Sequence, residues 1–215
     1  LILFLFSTSF ISLITLKKVK IKDIRISGSI LFSQNELVKN SSLKFPIRLL
    51  FIKTNLMEKE LKQNLSLKNI SVSRQIMPFG LRVHINTRTP IAFGEKILND
   101  EKIIGFIDKD GIFINKQNAE NIDLSVLSLQ VFGWKEKFKN ILSEILIAQK
   151  NYEFELVKIT FSPNGFLTLE ERDLKTIFLG FNPNLVKYQL QIINKLKNEF
   201  RKNDFFKKID NIDLT

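Results

Sequence analysis

The residues with the chemistry for catalysis or metal binding are few and scattered. The single histidine, His84, stands between Val83 and Ile85 in an alternating run. Alternation buries the two aliphatics and turns the imidazole outward, beside Arg82 and Asn86 in sequence. No serine or aspartate motif accompanies it, so a solvated strand residue is expected rather than part of a triad. Glu170-Glu171-Arg172-Asp173 groups three carboxylates, the residue type for general acid–base work. The cluster falls between two apolar alternating runs and reads as a charged turn. Asp108-Lys109-Asp110-Gly111 offers two alternating oxygen ligands for a calcium loop. An EF-hand sets its glycine after three such alternating ligands, whereas Gly111 already follows the second, so an Asp-Gly turn is expected. The eight glycines form neither GxGxxG nor GxxxxGK[ST], and the chain has no cysteine for a thiolate site or a disulfide. No enzymatic activity, cofactor, metal or small-molecule substrate is expected, and the chain should act by binding.

The elements that would present a binding surface start from 215 residues, 44% hydrophobic, with 20 Phe. That excludes a disordered chain and allows one large domain or two small ones. Charge divides them. Residues 17–90 hold 15 Lys+Arg against 4 Asp+Glu, a net of +11, while residues 91–215 hold 18 of each. The basic half therefore suits a phosphate-bearing partner, either lipid headgroups or nucleic acid. Nucleic-acid readers interleave exposed aromatics with their cations, and between 53 and 90 the only aromatic is Phe79. Lipid is the expected partner, and nucleic acid is not.

Leu1 to Leu16 carries no charge, and Lys17-Lys18 closes the run. Sixteen helical residues reach about 24 Å against a hydrocarbon core of about 30 Å. With no initiator Met, the expectation is a membrane anchor, 1–18, whose beginning lies upstream. A cleaved signal peptide is the rival, and Thr15-Leu16-Lys17 makes a poor cleavage site. Lys17, Lys18, Lys20 and Lys22 are the membrane-proximal basic candidates for anionic headgroups. By themselves these charges favour a cytoplasmic side for the rest of the chain.

Ile24 and Ile26 alternate as a strand that Gly28 ends, and Ser33-Gln34-Asn35-Glu36 is a capping box for a short helix. Thr54 reads as the cap of a second helix with Met57, Leu61 and Leu65 on one face. Ile70, Val72, Arg74 and Ile76, a Pro78-Phe79-Gly80 turn, then Leu81, Val83 and Ile85 read as a hairpin. The order is β-α-α-β-β. Beyond it, Ile104 to Ile114 is a hairpin, and Phe138, Ile141, Leu142, Ile145 and Leu146 form a helix stripe. Val157 to Leu179 is a strand meander. Leu185, Tyr188, Ile192, Ile193, Leu196 and Phe200 suggest a second helix stripe, and Ile209, Ile212 and Leu214 a last strand.

Ile24-Arg25-Ile26-Ser27-Gly28 followed by Ser33-Gln34-Asn35-Glu36-Leu37 resembles the opening of a POTRA domain of the FtsQ/DivIB type. Arg74-Gln75-Ile76-Met77-Pro78 resembles that family's hairpin turn, and Arg88-Thr89-Pro90-Ile91-Ala92 its exit, with Thr87 where a glutamate is usual. Ile107-Asp108-Lys109-Asp110-Gly111-Ile112-Phe113, Thr176 to Gly180 and Ile209-Asp210-Asn211-Ile212-Asp213-Leu214 look like its second, β-rich domain. Members usually carry a further strand and tail where this sequence stops at Thr215, so a fragment at both ends is expected.

The expected architecture is α+β: a truncated N-terminal transmembrane helix (1–18), a POTRA domain (19–92) and a second α+β domain with an antiparallel sheet (93–215). The resemblance implies a single-pass scaffold of bacterial cell division, in the inner membrane at the septum, its bulk outside the cytoplasm. It also implies two small single-pass coiled-coil partners, bound near the C-terminal strand. By position that site is Ile209, Asp210, Ile212, Asp213 and Leu214. Free sheet edges can capture such partners by strand addition. The alternative is a POTRA-bearing outer-membrane assembly or secretion component that handles unfolded clients.

Overall fold

The computed structural model describes residues 17–29, 32–98, 101–119, 127–202 and 210–215. The expected anchor, apart from Lys17 and Lys18, lies outside them. Among the described residues no helix is long and apolar enough to cross a membrane. Two compact units part between Arg88 and Thr89.

The first unit runs β1 (Lys18–Val19), β2 (Ile24–Gly28), α1 (Gln34–Lys39), β3 (Ile47–Arg48), α2 (Thr54–Asn64), β4 (Asn69–Gln75) and β5 (Gly80–Asn86). β1 and β3 form a separate antiparallel pair, and the main sheet has the order β2-β5-β4. β5 is central, antiparallel to β4 and parallel to β2. The parallel pair needs a crossover, which α1 and α2 supply. Leu37, Met57, Leu61, Val72, Leu81, Val83 and Ile85 are buried together on the helix side, and His84 faces outward as its alternation predicts. Gly28 has φ +89°, and a Cβ there would meet the Ile85 carbonyl oxygen at 2.2 Å. Only glycine lets the strand end against β5 in that conformation.

The capping box at the start of α1 is formed. Ser33 Oγ accepts from the Glu36 amide at 3.3 Å, and Glu36 Oε2 accepts from the Ser33 amide at 2.7 Å. These bonds from the Ser33 amide and then its hydroxyl hold the Glu36 carboxyl below its ordinary value. A depressed carboxylate stabilises above its unfolded pKa and loses that contribution as pH falls through the folded value. Ser33→Ala should therefore cost about 1 kcal/mol at neutral pH and less in acid, read from denaturant midpoints at the two pH values. The second helix departs from the sequence expectation. It begins at Thr54 itself, Lys53 takes the cap position, and no side chain caps it. The Thr54 hydroxyl instead reaches Asn55 Oδ1 at 3.5 Å.

The second unit runs β6 (Pro90–Leu98), β7 (Glu101–Asp108), β8 (Phe113–Asn115), β9 (Leu129–Trp134), α3 (Lys139–Asn151), β10 (Leu156–Phe161), β11 (Leu167–Glu171), β12 (Lys175–Gly180), α4 (Val186–Lys202) and β13 (Asn211–Asp213). Pro90 and Ala92 pair with Asp108 and Ile107, so the segment expected to close the first domain at 92 is already strand of the second sheet. All eight strands form one sheet, ordered β13-β12-β11-β10-β9-β6-β7-β8. It is mixed, not antiparallel as expected: β6 with β9, β9 with β10, and β12 with β13 run parallel. The last two pairs are closed by α3 and α4, each a helical crossover between parallel neighbours. α3 buries Leu142, Ile145 and Leu146 against Leu129, Ile159 and Leu169, as its apolar stripe predicts.

Candidate protein-binding edge

The catalytic and metal candidates fall into structural roles. His84 is exposed, and the β2–β5 register brings its Nδ1 to 3.2 Å from Ser27 Oγ. Both groups lie open on a sheet face, where water competes for the hydroxyl and nothing shields a reacting atom. Asp108 Oδ1 accepts from the amides of Asp110 at 2.9 Å and Ile112 at 2.8 Å, shaping the turn. Gly111 has φ +72°, and its carbonyl accepts from Trp134 Nε1 at 2.9 Å. Among the described residues no cluster of three His, Cys, Asp or Glu could hold a metal. A cleft of about 440 Å³ opens between the start of α3 and the loop before α4. Its lining carries Lys137 and three asparagines but no carboxylate or histidine, which gives no acid–base pair.

The acidic cluster corrects the sequence reading. Glu171 ends β11 and is buried rather than part of a solvated turn. Its Oε1 accepts from Lys197 Nζ at 2.6 Å, and Lys197 on α4 is equally buried. Glu171 also accepts the backbone amides of Glu155, Asp173 and Leu174. Burial pushes its pKa up, but the Lys197 ammonium and the three amides more than offset this and leave it lowered.

The candidate binding feature among the described residues is the sheet edge at β13. Asp210, Ile212, Asp213 and Leu214 lie together on or beside this strand, and Ile209 is outside the described residues. Ile212 is opposite Ile177, and Leu214 donates its amide to the Phe178 carbonyl at 2.9 Å. The Asp210 carbonyl accepts from Thr176 at 3.5 Å. In a parallel ladder the bonding residues of one strand alternate. Asp210, Ile212 and Leu214 therefore turn their backbone groups toward β12. Asn211 and Asp213 turn theirs to the open side.

Two side chains hold the strand in place. Gln189 on α4 is buried and donates both to the Leu214 carbonyl at 2.7 Å and to the Leu179 carbonyl at 2.9 Å. Lys175 pairs with Asp210 at the strand's start. Ile212 and Leu214 pack half-buried against the core. The backbone amide and then the hydroxyl of Thr215 hold the exposed Asp213 carboxyl below its ordinary value.

Sheet edges in the first unit are occupied differently. Glu58 Oε1 accepts from the Val72 amide of β4 at 2.6 Å, and Gln34 donates to the Ile24 carbonyl of β2 at 2.5 Å. Each helix thus blunts the edge beside it. The four basic candidates, Lys17, Lys18, Lys20 and Lys22, are all exposed at the start of this unit. Lys18 pairs in β1 with Arg48, and Lys17 Nζ lies 4.6 Å from the centre of the Phe79 ring.

The β-α-α-β-β unit is similar to a known domain family. Residues 19–88 match the family described as POTRA domain, FtsQ-type. The match covers the first unit, which is similar to FtsQ-type POTRA domains, and leaves the second unit without a family match. No curated protein matches the chain.

Proposed function

We propose that this protein is a non-enzymatic, single-pass membrane scaffold of the bacterial division machinery. Its bulk lies on the extracytoplasmic side at the septum, and it binds other division proteins partly by strand addition at β13. The observation that supports this most is the open backbone of Asn211 and Asp213 on a strand locked by Gln189, in a chain whose first unit is similar to FtsQ-type POTRA domains. A preformed edge offers backbone bonds for affinity and alternate side chains for choice, with little ordering cost. Small single-pass coiled-coil subunits are the proposed occupants. Residues 1–16 act as the anchor, and Lys17, Lys18, Lys20 and Lys22 contact anionic headgroups, each adding about 1 kcal/mol of attraction.

The test is a tagged full chain in dividing cells. Concentration at the septum and co-purification of the coiled-coil division subunits are expected. A diffuse cytoplasmic fusion that captures neither subunit overturns the proposal. Capture of unfolded outer-membrane clients instead identifies the envelope-assembly alternative.

A further inference from the structure

The first unit exposes large apolar side chains at one end. In the 3-10 turn after β3, Leu49 and Ile52 are buried, while Leu50 is 59% and Phe51 65% exposed. In the β4–β5 turn, Ile76 is 58% and Met77 83% exposed. Soluble surfaces rarely present such side chains in adjacent pairs without a use for them.

Specific bonds gather the two pairs at the end where the chain enters. Arg74, two residues before Ile76, donates to the Ile52 carbonyl at 2.6 and 3.2 Å, just beyond Phe51. Arg25 fastens the hairpin turn through the carbonyls of Pro78 at 3.0 Å and Phe79 at 3.3 Å. Lys17 stacks on Phe79, and β1 pairs Lys18 with Arg48, directly before the exposed turn. The Arg48 guanidinium lies 5.9 Å from the centre of the Phe51 ring. Exposed Lys17, Lys18, Arg48 and Lys53 therefore lie close to the apolar pairs through these contacts or in sequence, and the uncharged run Leu1–Leu16 ends immediately before Lys17.

We propose that this end of the POTRA domain rests on an anionic bilayer, with Leu50–Phe51 and Ile76–Met77 inserted as two prongs into its interfacial layer. This rests on the reading of residues 1–16 as a membrane anchor. The chain leaves the bilayer beside the prongs, so their insertion needs no extended linker. Apolar side chains enter the headgroup–acyl boundary, and the nearby cations meet lipid phosphates. Arg48 suits that level, its stem along Phe51 and its charged end toward the headgroups. The prongs would fix the tilt of the domain over the membrane, where one flexible tether would leave it free.

The absence of cysteine makes the test clean, because each introduced thiol is unique. Nitroxide labels are placed singly at Leu50→Cys, Ile76→Cys, Gln63→Cys near the end of α2, and Ile11→Cys. The full chain is reconstituted in phosphatidylcholine–phosphatidylglycerol vesicles, and accessibility to oxygen is compared with that to a water-soluble nickel chelate. Labels at 50 and 76 are expected about 5–10 Å into the headgroup–acyl boundary. The label at 63 is expected in water and that at 11 in hydrocarbon. Labels at 50 and 76 as aqueous as that at 63, with Ile11→Cys in lipid, overturn the prongs and leave the anchor standing. An aqueous label at 11 as well overturns the anchor reading, and the prongs with it. Phe51→Asp with Met77→Asp should move the label at 50 into water, and an unmoved label also counts against the prongs.

Discussion

Replacing Lys197 by methionine is expected to destabilise the second unit by about 3–5 kcal/mol, the usual cost of removing one partner of a buried ion pair. Lys197 and Glu171 are both buried, 2.6 Å apart. Methionine matches the length of the lysine stem but leaves the carboxylate without its cation. It also removes the donor to the Glu153 carbonyl at 2.8 Å and the charge 5.7 Å from the Phe154 ring centre. Glu171→Leu should cost more than Lys197→Met. It strands the Lys197 ammonium and also takes away the acceptor for the amides of Glu155, Asp173 and Leu174. The buried Leu174 amide left unsatisfied adds about 1–3 kcal/mol, and the part-buried amides of Glu155 and Asp173 add less. Denaturant unfolding of the two variants checks the order. Equal losses would show that the three amides find other partners.

The same pair sets an acid limit. Glu171 has a lowered pKa, so its contribution is complete above the ordinary glutamate value of 4.5 and fades as pH falls below it. In Lys197→Met the carboxylate keeps its amides but not its cation, so its pKa rises back toward the ordinary value and the loss of stability in acid becomes smaller than in the parent protein. A pH titration of stability that is flat below 4.5 in the parent protein would contradict this coupling.

Lys197 and Gln189 also show why part of the fold was hidden in the sequence. The stripe of Leu185, Tyr188, Ile192, Ile193, Leu196 and Phe200 has helical spacing, yet Leu185 is 44% and Tyr188 64% exposed. The buried face of α4 is Val186, Gln189, Leu190, Ile193 and Lys197. It has the same period, rotated, with two polar residues at core positions. Hydrophobicity alone cannot find that face, because what buries Gln189 and Lys197 is the set of acceptors waiting on β11, β12 and β13. The acidic cluster was misread for the same reason: Glu171 looks like a turn residue until α4 supplies its partner. By contrast, α3, the capping box, the β4–β5 hairpin and the Asp108 turn rest on interactions between near neighbours and were legible. The parallel pairings were not, since strand direction is decided by crossovers that alternation does not encode. The β13 segment was legible as a strand through Ile212 and Leu214, but not which of its residues face outward. That depends on the register against Thr176 and Phe178.

That register makes the second large effect specific. Asp213→Pro is expected to weaken capture of a strand-adding partner at least about tenfold while leaving the protein folded. The amide it removes points to the open side, where proline is tolerated on an edge strand but cannot donate to an added one. The ring also stands where the partner's backbone would approach. Ile212→Pro is the wrong variant, because the Ile212 amide faces β12 and its loss would loosen the strand itself. Asp213→Ala is the control: it removes the carboxylate and its bond to the Thr215 amide but keeps the outward amide. If strand addition drives binding, Asp213→Ala binds nearly as the parent and Asp213→Pro does not. Equal losses in both would move recognition from the backbone to the carboxylate. Full binding by Asp213→Pro, with an unchanged unfolding midpoint, would remove β13 as the docking edge.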